Sequence, residues 1–145
     1  MKSRFPLSVA AAFILLGSAL IAFGCTYNRM QLESGKTYTI ERVESNPIYI
    51  SWVHAREKNR EVIITGLLRS HSTYTQGTGH VDVAVIGPGG ELLGKTGVDY
   101  NPKTLPRGSR GKESRFEARL PFIPPDGSRI RVTVHFSPEI EKSDL

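Results

Sequence analysis

Four histidines and a single cysteine are the residues of this chain best suited to ligation or nucleophilic chemistry. Copper or zinc is held by two or three imidazoles that converge, with no spacing rule when the donors sit on neighbouring strands. His54, His71, His80 and His135 form no H-x-H or H-x-x-x-H pair, so any shared ion depends on the fold to gather them. His71 and His80 flank the segment STYTQGTG and can meet at its base, with His135 as a third donor. That makes a copper- or zinc-binding module the second reading of function. The plainer alternative is a set of exposed histidines on a sheet face that bind nothing. Met30 is the only methionine beyond the N-terminal apolar run, so a methionine-rich copper site is not expected.

Hydrolytic chemistry finds less support. A serine nucleophile needs a base and an orienting acid within hydrogen-bond reach. No G-x-S-x-G string occurs, and the nearest, Gly108-Ser109-Arg110-Gly111, lies in a loop-like stretch. Asp82 and Asp99 fall at solvent-facing strand positions, so paired acids are not expected either. No catalytic residues and no cofactor are predicted. With one cysteine there is no internal disulfide and no cysteine-based zinc site.

That cysteine has a distinctive context. Lys2 and Arg4 precede an uncharged run, Phe5 to Phe23, whose densest apolar part is Val9 to Leu16. Ala22 and Gly24 then lead directly into Cys25. The arrangement resembles the bacterial lipobox, although that pattern has Leu where this chain has Ala22. The resemblance implies a lipid thioether on Cys25, removal of residues 1–24, and an acylated new N-terminus. Two other readings stay open: an ordinary cleavage site releasing a soluble protein, and an uncleaved span, since roughly 18 apolar residues suffice to cross a bilayer. All three place the following domain outside the cytoplasm, because the basic residues stay inside. Thr26, rather than Asp, follows the cysteine, which by the same resemblance implies the outer membrane in a two-membrane organism.

Nineteen Lys and Arg against fourteen Asp and Glu give a formal charge of +5, which falls to +3 without Lys2 and Arg4. The surplus is local. Lys103, Arg107, Arg110, Lys112 and Arg115 crowd one proline- and glycine-rich stretch that holds a single acid, Glu113. The stretch predicts a long basic surface loop over 101–114, suited to an acidic partner or anionic headgroups. It has no interleaved aromatic platform, so nucleic acid is not an expected partner.

The elements that must position these residues follow a period of two. Residues 25–36 read as the lipidated cysteine and a polar tether, whose eleven residues after the cysteine span about 17–20 Å. Strands are expected at Tyr38–Ile40, after Asn46-Pro47 with Ile48, Ile50 and Trp52 inward, and at 62–68 with Gly66 marking a bulge or close approach. Val81, Val83 and Val85 alternate with Asp82 before Pro88-Gly89-Gly90 reverses the chain. Phe116 to Phe122 and Ile130 to Phe136 alternate cleanly around the turn Pro124-Pro125-Asp126-Gly127. Residues 138–145 read as a polar tail.

Short strands with turns every eight to twelve residues predict an all-β domain over 37–137, an antiparallel β-sandwich of about seven strands. VIITGLL (62–68) and HVDVAVIGPGGELL (80–93) give it a pattern similar to the immunoglobulin-like and transthyretin-like modules of bacterial envelopes. The expectation is a membrane-anchored, non-catalytic envelope lipoprotein that binds or buttresses a protein partner through the 101–115 loop.

Overall fold

In the computed structural model, residues 26–72, 74–75, 77–106 and 113–138 are described. They form an all-β fold. The strands are β1 (Thr26–Gln31), β2 (Thr37–Val43), β3 (Ile48–Lys58), β4 (Glu61–Ser70), β5 (Tyr74–Thr75), β6 (Gly77–Ile86), β7 (Leu92–Val98), β8 (Leu105–Pro106), β9 (Ser114–Leu120) and β10 (Arg129–Pro138). One sheet has the order β1-β2-β10-β6-β7, a second β3-β4-β9, and β5 pairs with β8. No helix among the described residues is long and apolar enough to cross a membrane.

Alternation carries the apolar residues of both larger sheets into one core. Tyr38, Ile40, Val81, Val83, Val85, Ile130, Val132 and Val134 come from the first sheet. Ile48, Ile50, Val53, Ala55, Val62, Ile64, Leu68, Phe116, Ala118 and Leu120 come from the second. Burial of each Val, Leu, Ile or Phe among them stabilises the fold by about 1.5–3 kcal/mol relative to exposure, which is how packing can replace a disulfide.

The turns follow from their residues. Strands β3 and β4 meet at Asn59-Arg60, both at positive φ (51° and 63°), the two-residue reversal whose twist matches the flanking strands. The expected hairpin after Val85 is present as β6–β7. It is closed by Gly90 at φ 88°, whose amide bonds the Gly87 carbonyl at 2.9 Å. After the two prolines, Ser128 Oγ donates to the Pro125 carbonyl at 2.7 Å.

Four sequence expectations are corrected. First, the sheet is mixed: β10 pairs with β2 in parallel, Ile130 beside Ile40, while its other neighbour β6 is antiparallel. Second, Thr26–Gln31 is not a tether but edge strand β1, paired antiparallel with β2. Its signal was two apolar residues, Met30 and Leu32, among polar ones; Leu32 is buried in the core and Met30 packs against it. Third, the described part of the 101–114 segment is not a simple surface loop. Tyr100 and Leu105 are buried core residues, and Asn101 and Arg115 exchange backbone hydrogen bonds at 2.9 Å. Fourth, Trp52 is 45% exposed rather than central to the core. The β3–β4 register shifts between Ile50 and Trp52, so Ser51 is the extra residue, and Val53 and Ala55 take the inward positions.

Candidate functional site

The outer face of the five-stranded sheet carries the densest chemistry. His80 on β6 lies directly opposite His135 on β10. Val81, Val83 and Val134 point into the core, so both histidines and Asp82 point out. The two imidazoles stack with ring centroids 4.7 Å apart and planes 21° from parallel. Asp82 lies beneath them, Oδ2 3.1 Å from His135 Nε2 and Oδ1 3.5 Å from His80 Nε2. Lys95 of β7 donates to Asp82 Oδ2 at 2.7 Å. That hydrogen bond lowers the Asp82 carboxyl below its ordinary pKa against the opposing effect of partial burial, and attraction to Lys95, His135 and His80 adds to it.

A shallow groove of about 390 Å³ adjoins the pair, lined by Gly79, His80, Asp99, Lys103, His135 and Ser137 among others. Lys103 Nζ donates to Asp99 Oδ1 at 2.8 Å and to the Gly79 carbonyl at 2.6 Å, and sits 4.7 Å from the Tyr100 ring centroid. Its hydrogen bond and charge hold the Asp99 carboxyl below the usual range.

The outer face of the three-stranded sheet is organised differently. Its register sets three rows across β3, β4 and β9: Trp52–Leu67–Arg115, His54–Thr65–Glu117 and Arg56–Ile63–Arg119. Trp52 stacks on His54 with centroids 5.8 Å apart and planes 7° from parallel. Arg69 and Glu113 form a salt bridge at the rim. A wide groove of about 920 Å³ runs over Trp52, Leu67, Arg69 and Arg115. Arg115 has no ion-pair partner among the described residues and shares the row of Trp52, with Leu67 between them.

The fold therefore divides the residues singled out in the sequence. Of the three histidines of the metal reading, His80 and His135 meet, while His71 stacks on Tyr49 with centroids 4.2 Å apart and does not join them. Asp82, expected merely to face solvent, becomes their third member, its side chain 14% exposed. The H-x-D spacing of His80 and Asp82 was the available signal, since residues two apart on a strand share a face. Of the basic cluster, Lys103 is committed to Asp99 and Arg115 joins the Trp52 row. Arg107, Arg110, Lys112 and Cys25 lie outside the described residues. Trp52 was not expected as a surface residue, because a one-residue bulge leaves no signature in hydrophobic alternation. No family model matches the chain, and neither a curated protein nor a solved structure matches it.

Proposed function

We propose that this chain is an extracytoplasmic, membrane-anchored binding module that engages a protein partner without catalysing a reaction. The observation that carries this reading is the exposed Trp52, set in one cross-strand row with Leu67 and Arg115. Tryptophan and arginine dominate binding energy at protein interfaces, where a large aromatic surface is desolvated beside a charged hydrogen-bond donor. A partner that fits presents an apolar side chain to the indole and a carboxylate to Arg115. The basic stretch containing Arg107, Arg110 and Lys112 precedes β9, and so Arg115, in the chain.

The anchor belongs to the same reading. Lipidation of Cys25 would hold the domain at the envelope, at the outer membrane if the organism has two. Two or more acyl chains, at about 0.8 kcal/mol per buried CH₂, make such attachment stable. Two sheets around one core are consistent with a sandwich of the immunoglobulin-like class, which serves widely as a recognition scaffold. The His80–Asp82–His135 cluster does not favour hydrolysis. Among the described residues no serine or threonine hydroxyl bonds either imidazole, and Asp82 is already held by Lys95.

Crosslinking in intact envelopes followed by pull-down tests the reading. Wild-type chain should capture a reproducible partner, and Trp52→Ala with Arg115→Ala should lose most of that capture at an unchanged thermal midpoint. Neutralising Arg107, Arg110 and Lys112 should weaken it further. Capture that survives all five substitutions rejects this face as the contact surface.

A further inference from the structure

The groups gathered on the five-stranded sheet go beyond partner binding. We propose that His80, Asp82 and His135 form a binding site for one first-row divalent transition ion of the Cu²⁺ or Zn²⁺ type. Two imidazole nitrogens and one carboxylate oxygen make a borderline donor set, which favours these ions over Mg²⁺ or Ca²⁺. The three ligand atoms all lie within 4.8 Å of one another. Ligands on one tetrahedral ion at ~2.0–2.1 Å stand roughly 3.3 Å apart. Asp82 approaches His135 through Oδ2 (3.1 Å) and His80 through Oδ1 (3.5 Å), so each imidazole stands near that spacing from one of the two carboxylate oxygens, and side-chain rotation alone would bring a single oxygen between them.

Two further features favour an ion here, and one opposes it. The donors stand on adjacent strands inside a sheet, so their Cα positions are set by paired backbone. The position opposite Asp82 on β7 is Gly97. A Cβ there would stand 3.1 Å from Asp82 Oδ1 and 3.9 Å from His80 Cδ2, so glycine keeps a side chain from crowding the cluster on this side. Opposing it, the Lys95 ammonium already pairs with the Asp82 carboxylate, on a side chain 54% exposed. The ion competes with Lys95 for Asp82, so Lys95 limits the affinity. An ordinary surface ion pair predicts the opposite behaviour, because removing Lys95 would then create no metal affinity.

The test uses the full chain, purified in detergent without an affinity tag, and titrated calorimetrically with CuCl₂, ZnCl₂ and MgCl₂. One Cu²⁺ or Zn²⁺ per chain is expected, with no response to Mg²⁺. His80→Ala and His135→Ala should each weaken binding at least tenfold, His71→Ala should leave it unchanged, and Lys95→Met should tighten it several-fold. Electron paramagnetic resonance of the Cu²⁺-loaded wild-type chain needs no variant and should show hyperfine coupling to imidazole nitrogens. Absence of stoichiometric binding, a Cu²⁺ spectrum without nitrogen coupling, or affinity unchanged in the His80→Ala/His135→Ala double variant overturns the proposal. The Trp52 and Arg115 substitutions leave all three ligands in place, so this outcome and that of the partner-capture experiment are independent.

Discussion

Tyr38 shows how one buried polar group ties the two ends of the domain together. Its ring is fully buried, and its hydroxyl donates to the Pro124 carbonyl at 2.9 Å, linking β2 to the turn before β10. Burial, reinforced by the Glu57 and Asp126 carboxylates, pushes the phenol up to about 12. An unfolded tyrosine ionises near ~10, so between these values the folded chain retains a proton that the unfolded chain releases. The stabilisation is complete below about pH 10 and is lost as pH rises toward 12. Denaturant melts at pH 8, 10 and 11 should show an alkaline loss of stability that Tyr38→Phe flattens. At neutral pH the same variant should cost about 1 kcal/mol for the lost hydrogen bond. Glu41 is the comparable case outside the core: buried on β2, it accepts from Arg131 Nε at 2.9 Å and faces Arg129 at 3.7 Å across the parallel β2–β10 pair.

Strand β3 is the element on which both functional geometry and edge protection depend. Its bulge turns Trp52 outward, and the carbonyl of Trp52 is pressed toward Gly66 of β4. The Phe116 ring lies across the same glycine from the other side, so a methyl group there meets both ring and carbonyl. Gly66→Ala should destabilise the domain by about 1–3 kcal/mol, as overpacked cores do. It should also disturb the indole environment, and urea denaturation read by Trp52 fluorescence measures both. An unchanged midpoint would mean that Phe116 can move aside. The free edge of β3 is covered by side chains: Glu44 accepts the Ile50 amide at 3.1 Å and Met30 Sδ the Ala55 amide at 3.3 Å. Such cover discourages indiscriminate strand pairing.

For the molecule as a whole, one core closes two sheets without a disulfide, since the chain holds a single cysteine. The anchor proposal has a direct measurement. Mass spectrometry of the mature N-terminus should find a lipid-modified Cys25 and no residues 1–24, and Cys25→Ser should shift the protein out of the membrane fraction. An unmodified Cys25 at the mature N-terminus, or an intact leader, removes the lipid anchor. With β1 beginning at Thr26, hardly any free chain remains between that cysteine and the fold, so a lipidated domain would sit close to the bilayer.

What was legible locally, and what was not, has a physical division. Period two in β6, β9 and β10 decides the facing of Val81, Phe116, Ile130 and their neighbours, because each residue's side is set by its position along its own strand. The hairpin at Gly89-Gly90 and the turn after Pro124 were equally readable, since turn chemistry is confined to a few residues. The same period put His80, Asp82 and His135 on outward positions. Their meeting is a different matter: Asp82 and His135 are 53 residues apart, and only the β6–β10 register sets them 3.1 Å from each other. Trp52 is the converse case, a residue whose face was inverted by one extra residue in its strand. The parallel β2–β10 pair, the capture of Leu105 by the core and the separation of His71 from the other histidines also depend on contacts between distant segments. Local sequence settles which way each strand faces; tertiary pairing alone decides which outward-facing side chains become neighbours.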